Sequence, residues 1–223
     1  MIDEVQARED ILARIRQATA DVTQSDPQKD VPITWQYGRG IDMDDVVATS
    51  AHRVRDSPCS GVAEPAVDVP QAVVDALKET GADESVVVPP GLDESWRTAI
   101  AEAGIEVRVD DPELSKTELD DTQAVVTAAA SGVADTGTIV LTHLADQGRR
   151  ALTLVPDRHV CVIKASQVVS DVPEAVQAVK PAVLDHHPLT WISGGSATSD
   201  IELARVNGVH GPRQLHVIVV TDQ

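Results

Sequence analysis

The sequence predicts an α/β protein: a three-layer sandwich with a mostly parallel central sheet, preceded by an N-terminal helical arm. Three observations point there. Between Pro70 and Val109 strand-like and helix-like patterns alternate, the rhythm of βαβ units. The 223 residues are 42% apolar with three Trp, one Tyr and no Phe, so the core must be Val, Ala, Leu and Ile, a mixture that suits strands under Ala-rich helices. The second half then breaks into short β-branched runs separated by turns.

In order, residues 3–20 read as a helix, with Val5, Ile11, Leu12, Ile15 and Ala18 at helical spacing and Arg8, Arg14 and Arg16 on other faces. Pro27, Pro32, Gly38 and Gly40 then interrupt all periodicity. The expected organisation is a helix-and-linker arm over 1–40 and an α/β domain over 41–223. Val46–Ala51 reads as the end of a short helix, His52–Arg55 as a short strand, and Pro58–Pro70 as turns. Pro70–Thr80 is helical through Val73, Val74 and Leu77, with Gly81 closing it. Ser85–Val88 is a strand, Asp93 caps a helix running to Ala103, and Ile105–Val109 is the next strand. Strands follow at Ala124–Val133, Thr138–Thr142 and Val160–Ile163, then a helix at Pro173–Val179 and strands at Leu189–Ile192 and Leu215–Val220.

The net charge of −18 sets up a field that repels phosphate backbones, which argues against nucleic acid. No stretch reaches the roughly 18–20 apolar residues that span a bilayer, and Met1–Val5 lacks the pattern of a signal peptide. The expectation is a cytoplasmic protein away from membranes. Cys59 and Cys161 are far apart with no CxxC, so free thiols are expected, and an iron–sulfur cluster or structural zinc is not.

Three constellations could carry chemistry. Ala134-Asp135-Thr136-Gly137-Thr138 offers backbone N–H groups, two hydroxyls and a carboxylate between two apolar runs; its plainer reading is a tight turn with Gly137 at positive φ. Arg149 and Arg150 are scarce cations suited to a phosphate or carboxylate, and His159, just before an apolar strand, is either an acid–base group or a structural residue. Finally, Ser193-Gly194-Gly195-Ser196 follows a strand, Thr198 or Ser199 reads as the N-cap of a helix carrying Asp200 and Glu202, and His210-Gly211-Pro212-Arg213 precedes the last strand. Glycines bring backbone N–H groups close to a ligand, and helix N-termini bind anions. No GxGxxG opening a βαβ unit, Walker loop or GxSxG elbow is present, and His186-His187-Pro188 reads as a polar loop.

These segments, in this order, resemble the LutC/YkgG family, lactate utilization protein C with its LUD domain. The likeness runs through Ala134–Thr138, Arg149-Arg150 to His159, Ile192–Glu202 and Gly208–Arg213, with support from Ala7–Arg16 and Val87–Gly91. Two positions depart from the family pattern: Asp135 stands where it usually reads Glu, and Gly195 where it reads Pro. The resemblance implies a fold similar to the NagB/RpiA/CoA-transferase group. It also implies a non-redox subunit in the oxidation of L-lactate to pyruvate, without a cofactor of its own, beside partners carrying cysteine-rich and iron–sulfur modules. The alternative is a free-standing enzyme or binding protein for a phosphorylated sugar, a folate or a CoA-type ligand. The candidate ligand-binding residues are Asp135, Thr136, Gly137, Thr138, Arg149, Arg150, His159, Ser193, Gly194, Gly195, Ser196, Thr198, Asp200, Glu202, His210, Gly211 and Arg213. No metal ligands are expected, and the catalytic residues are unassigned.

Overall fold

A computed structural model of the chain describes residues 4–22, 26, 36, 38–56, 64–66, 68–199 and 205–221. It divides into two compact units, Met1–Gly38 and Arg39–Gln223. The first holds helix α1 (Glu4–Ala18), closed by the Thr19 amide and hydroxyl, both donating to the Ile15 carbonyl. Ile11 and Ile15 are exposed on it.

In the second unit the hydrophobic pattern builds a six-stranded, wholly parallel sheet. Its strands are β1 (Glu64–Ala66), β2 (Ser85–Val88), β3 (Glu106–Val109), β4 (Ala124–Ala128), β7 (Arg158–Lys164) and β12 (Gln214–Val220), in the order β1-β12-β7-β4-β2-β3. From β2 the chain steps outward to β3, then returns across β2 to add β4, β7 and β12, so the winding reverses between β2 and β4.

Period-2 alternation sorts the strands into two faces. Val86, Val88, Val126, Val160, Val162 and Ile218 face helices α3 (Val69–Glu79) and α4 (Glu94–Glu102), burying Val73, Val74, Leu77 and Ile100. Asp68 and Asp93 cap these helices by accepting from the Gln71 and Ser95 amides. On the opposite face Cys161, Ile163, Leu215, Val217 and Val219 pack against Ala51 and Val54 of helix α2 (Val46–Asp56) and against Ile139 and Leu141. A smaller cluster joins Val87, Val125 and Leu152 to Leu119 of α5 (Lys116–Asp120), whose N-terminus is a Ser115–Glu118 capping box. The expected mostly parallel α/β sandwich is therefore present, with helices on one side.

The layer on the other side is mixed. A second sheet, β8-β5-β6-β9, comprises β8 (Val168–Val169), β5 (Ser131–Val133), β6 (Thr138–Leu141) and β9 (Thr190–Ile192). Helix α6 (Val172–Leu184) contacts β5 and β8. The hairpin β10 (Ala197–Ser199)–β11 (Arg205–Asn207) completes the strands.

Four local expectations are corrected. His52–Arg55 is the last part of α2 rather than a strand: the Asp45 carboxylate accepts from the Ala48 amide and starts the helix, Ala51 and Val54 share its buried side, and Arg53 and Arg55 suit its C-terminal dipole. Within the Pro58–Pro70 stretch, Glu64–Ala66 pairs as an edge strand with β12. The run Ala124–Val133 is two strands, because the chain passes from one sheet to the other: the Ala129 amide donates to Val162 in the central sheet and the Ala130 amide to Val140 in the second. Thr198 and Ser199 are strand residues of β10, paired with Arg205–Asn207, and the helix expected to follow them, with Asp200 and Glu202, lies outside the described residues.

Candidate active-site pocket

The two glycine-rich loops near the C-terminus meet. The Ser196 amide donates to Pro212 at 2.8 Å, the Gly208 amide to the Ser196 carbonyl at 2.9 Å, and the His210 amide to Ser196 Oγ at 3.1 Å. Gly194 sits at φ 88°, in the left-handed region that favours glycine. Behind the loop, hydroxyls run from Thr136 to Thr138 at 2.7 Å and from Thr138 to Ser193 at 2.6 Å. The Thr-Gly-Thr turn thus braces the Gly-rich loop.

Together these segments wall a cavity of about 270 Å³ lined by Arg150, Thr153, His159, Thr190–Ser196, His210–Pro212 and Leu215. His159 and Leu215 stand at the amino ends of β7 and β12, so the cavity opens at that edge of the parallel sheet.

Its electrostatics come from two residues. Arg150 is partly buried and donates through Nη1 to the Thr153 carbonyl at 2.9 Å and to Thr153 Oγ1 at 3.1 Å; it forms no ion pair among the described residues. Burial lowers its pKa, but a guanidinium stays charged. His159 is fully buried, its Nε2 is 2.8 Å from Thr127 Oγ1, and its Nδ1 has no hydrogen-bond partner among the described residues. Burial, and then the Arg150 charge, push its pKa down to about 3, so the ring is neutral near neutral pH. A guanidinium without an ion pair among the described residues, beside a neutral imidazole and several hydroxyls, has the chemistry that suits an anion.

His143 supports the wall. Its Nδ1 lies 2.7 Å from the Gly148 carbonyl and its Nε2 2.7 Å from Thr190 Oγ1. A carbonyl only accepts, so Nδ1 carries the proton and Nε2 accepts from Thr190. Burial lowers the pKa of this ring too, with Arg150 acting in the same direction.

Of the residues singled out from sequence, the cavity gathers Arg150, His159, Ser193, Gly194, Gly195, Ser196, His210 and Gly211. Others serve the frame. Arg149 forms a two-pronged ion pair with Asp110 at 2.7 and 2.9 Å and donates to the Leu114 carbonyl at 2.7 Å. Gly137, at φ 62°, lets its turn press on α2, where a Cβ would come within 2.8 Å of the Arg53 backbone. Asp135 lies 3.9 Å from Arg53, and Arg213 pairs with Asp157 at 3.2 Å. Thr136 and Thr138 act through the hydroxyl chain, Thr198 lies in β10, and Asp200 and Glu202 lie outside the described residues.

Sequence reasoning passed over Thr127, His143, Thr153 and Thr190. Thr127 is the one polar residue inside the β4 run Ala-Val-Val-Thr-Ala, a buried polar group that needs a partner. The other three carry no comparable signal.

A second cavity, of about 330 Å³, lies at the carboxyl ends of β2, β4, β7 and β12, beside the winding reversal where open α/β sheets commonly bind ligands. Its polar groups are largely engaged: Asp93 caps α4, and the Gln167 side chain accepts from the Lys164 amide and donates to the Ala129 and Ala130 carbonyls. The second cavity has a cation of its own, the exposed Lys164, without an ion pair among the described residues; the amino-end cavity is set apart by a partly buried guanidinium and by a buried nitrogen, His159 Nδ1, that has no hydrogen-bond partner among the described residues.

Comparison with known proteins places this architecture. The LUD domain family matches residues 63–220. Lactate utilization protein C of Deinococcus radiodurans is 52% identical over 155 residues, covering 70% of each chain. YkgG of Escherichia coli, an uncharacterized protein, is 29% identical over 167 residues, covering 68% of this chain and 69% of its own. Lactate utilization protein C of Anoxybacillus flavithermus is 36% identical over 93 residues, about two-fifths of either chain. The crystal structure of a duf162 family protein from Deinococcus radiodurans superposes with a TM-score of 0.66 at 42% identity, covering 78% of this chain and 96% of that one. The chain belongs to the LUD-domain family, in its LutC/YkgG group.

Proposed function

We propose that this chain is a non-redox subunit of an L-lactate utilization system, and that its amino-end cavity holds a small carboxylate on Arg150. The single observation carrying the site is the Arg150 guanidinium, held by Thr153 and without an ion pair among the described residues. The lactate context rests on the relatives named lactate utilization protein C. Oxidising lactate to pyruvate releases two electrons and two protons. The electrons pass to iron–sulfur clusters in cysteine-rich partner proteins. Cys161, buried in the sheet with its thiol pushed up to about 12 by burial, is a poor donor or metal ligand. The system works in the cytoplasm, with residues 1–40 as a helix-and-linker arm and 41–223 as the α/β domain.

Calorimetric titration tests the site. The wild type should bind L-lactate or a similar small carboxylate, and Arg150→Met should weaken that binding at least tenfold. Binding of phosphorylated sugars or CoA compounds in place of carboxylates would replace this reading with the free-standing alternative. In cells, deleting the gene should abolish growth on L-lactate, and the tagged protein should co-purify with an iron–sulfur protein. Normal growth in a strain lacking every other lactate oxidase would refute the subunit role.

A further inference from the structure

We propose that the edge of the parallel sheet at strand β3 is an interface for a second copy of this chain. Two β3 strands pair antiparallel about a twofold axis at Val107, joining the two sheets into one. The interface is independent of the amino-end cavity and of the ligand assigned to it.

Strand β3 ends the sheet order and pairs with β2 alone. The Glu106 amide donates to the Glu84 carbonyl at 2.9 Å and the Asp110 amide to the Val88 carbonyl at 3.0 Å. Glu106, Arg108 and Asp110 therefore turn their backbone groups toward β2, and Val107 and Val109 turn theirs outward. No strand lies on that outer side among the described residues. A row of outward N–H and C=O groups is a template for another strand.

Charged side chains commonly guard such an edge against pairing. Here the guard is one acid and one base, placed on either side of Val107. Glu106 and Arg108 pair with each other at 2.9 and 3.2 Å, and Arg108 also donates to Thr122 Oγ1 at 3.2 Å. Their side chains stay 60% and 29% exposed.

A strand that pairs with its own copy has few registers, each named by the residue on the axis. With Val107 there, its outward groups meet those of its copy in a doubly hydrogen-bonded pair. Glu106 of each copy then stands opposite Arg108 of the other, in the closer, non-hydrogen-bonded positions. An axis at Arg108 would set Arg108 against Arg108 and Glu106 against Asp110. An axis at Glu106 would set that carboxylate against itself. An axis at Val109 would offer Arg108 only Asp110, which is 4% exposed and held by Arg149. Charge complementarity thus selects one register, and it is a self-complementary one, as a twofold contact requires. Apolar surface accompanies it. Val107 and Val109 are half-buried toward α4 and, with Thr98 and Ala101, line a groove of about 550 Å³. The twofold brings the two grooves side by side.

Sedimentation velocity on the full chain tests the interface. The wild type should be a dimer at micromolar concentration. Glu106→Arg and Arg108→Glu each set like charges opposite one another twice, and each should weaken the dimer about tenfold or more. The double variant Glu106→Arg/Arg108→Glu restores opposite charges in the same register and should restore the dimer. An equimolar mixture of the two single variants should form a heterodimer, since an all-basic edge then meets an all-acidic one. Val107→Pro removes an outward N–H where an edge strand tolerates proline, and should give a folded monomer. A wild type that is monomeric at tens of micromolar would overturn the proposal. So would a dimer that survives every substitution, or single variants that dissociate and fail to recombine. Hydrogen exchange on the wild type needs no variant to fold: peptides spanning β3 should be protected at high concentration and lose that protection on dilution. Equal exchange at both concentrations would refute pairing at this edge.

Discussion

Two neighbouring arginines define two regions with opposite physical characters. Arg149 turns toward Asp110, whose side chain is 4% exposed, and fills its fork with both carboxylate oxygens and the Leu114 carbonyl. That pair raises the Arg149 pKa and ties the loop after β3 to the turn before β7. Arg150 turns the other way and finds a carbonyl and a hydroxyl of Thr153. One guanidinium is spent on holding the chain together; the other keeps its charge for something else. Adjacent identical side chains therefore need separate arguments, because the role of a buried charge is decided by its partner.

The largest expected effect breaks the first region. Arg149→Met leaves Asp110 buried without its ion pair and should cost about 2–4 kcal/mol in urea unfolding, somewhat below the roughly 3–5 kcal/mol for breaking a fully buried pair because Arg149 is 30% exposed. Arg150→Met should change stability by less than about 1 kcal/mol, since no ion pair is lost and burying a charge is itself unfavourable, while ligand binding disappears. Equal destabilisation by the two substitutions would erase the distinction.

Acid sharpens the comparison. The Arg149 guanidinium does not titrate in the accessible range. His159, held near 3 in the folded protein against about 6.5 when unfolded, does. Above pH 6.5 both states are neutral and the group contributes no slope. As pH falls from 6.5 toward 3 only the unfolded chain takes up the proton, so stability falls by about 1.4 kcal/mol per pH unit from this residue. His159→Phe should flatten the stability profile between pH 6 and 4 by about one proton. An unchanged profile would mean that the ring is solvated in the folded state.

The legibility of the molecule followed the same division. The βαβ stretch from α3 to β3 could be read almost residue by residue, because its apolar stripes, the Asp93 cap and the Gly81 stop are local signals that agree with one another. The switch from β4 to β5 was hidden, since Ala128–Ala130 looks like continuing strand and only the change of hydrogen-bond partner, from Val162 to Val140, splits it. The strand expected at His52–Arg55 failed for a related reason: alternation over four residues cannot outweigh a helix begun at Asp45. In the site, the Gly/Ser loops and Arg150 were visible by composition. Their separation from Arg149 and Arg213 was not, because Asp110 and Asp157 are partners at a distance along the chain. Thr127 and His143 brace the lining residues His159 and Thr190 through contacts across 32 and 47 residues, which no local pattern reports.

The smallest effect concerns Gly195, where this chain departs from the proline of the family pattern. Gly194 uses the left-handed region at φ 88°, whereas Gly195 is not among the positive-φ glycines and its amide makes no backbone hydrogen bond outside the regular elements among the described residues. A proline there would give up no such bond and would leave the Ser196-to-Pro212 bond in place. Gly195→Pro should therefore stabilise the protein by about 0.4–1 kcal/mol through the unfolded chain, a rise in Tm of roughly 1–4 °C for a domain of this size. Carboxylate affinity should hold or improve slightly, because a stiffer loop loses less entropy on binding. A lower Tm with weakened binding would show that the loop beside Arg150 depends on the freedom of Gly195. The pocket would then be the region where flexibility is retained, in contrast to the rigid Arg149 clamp next to it.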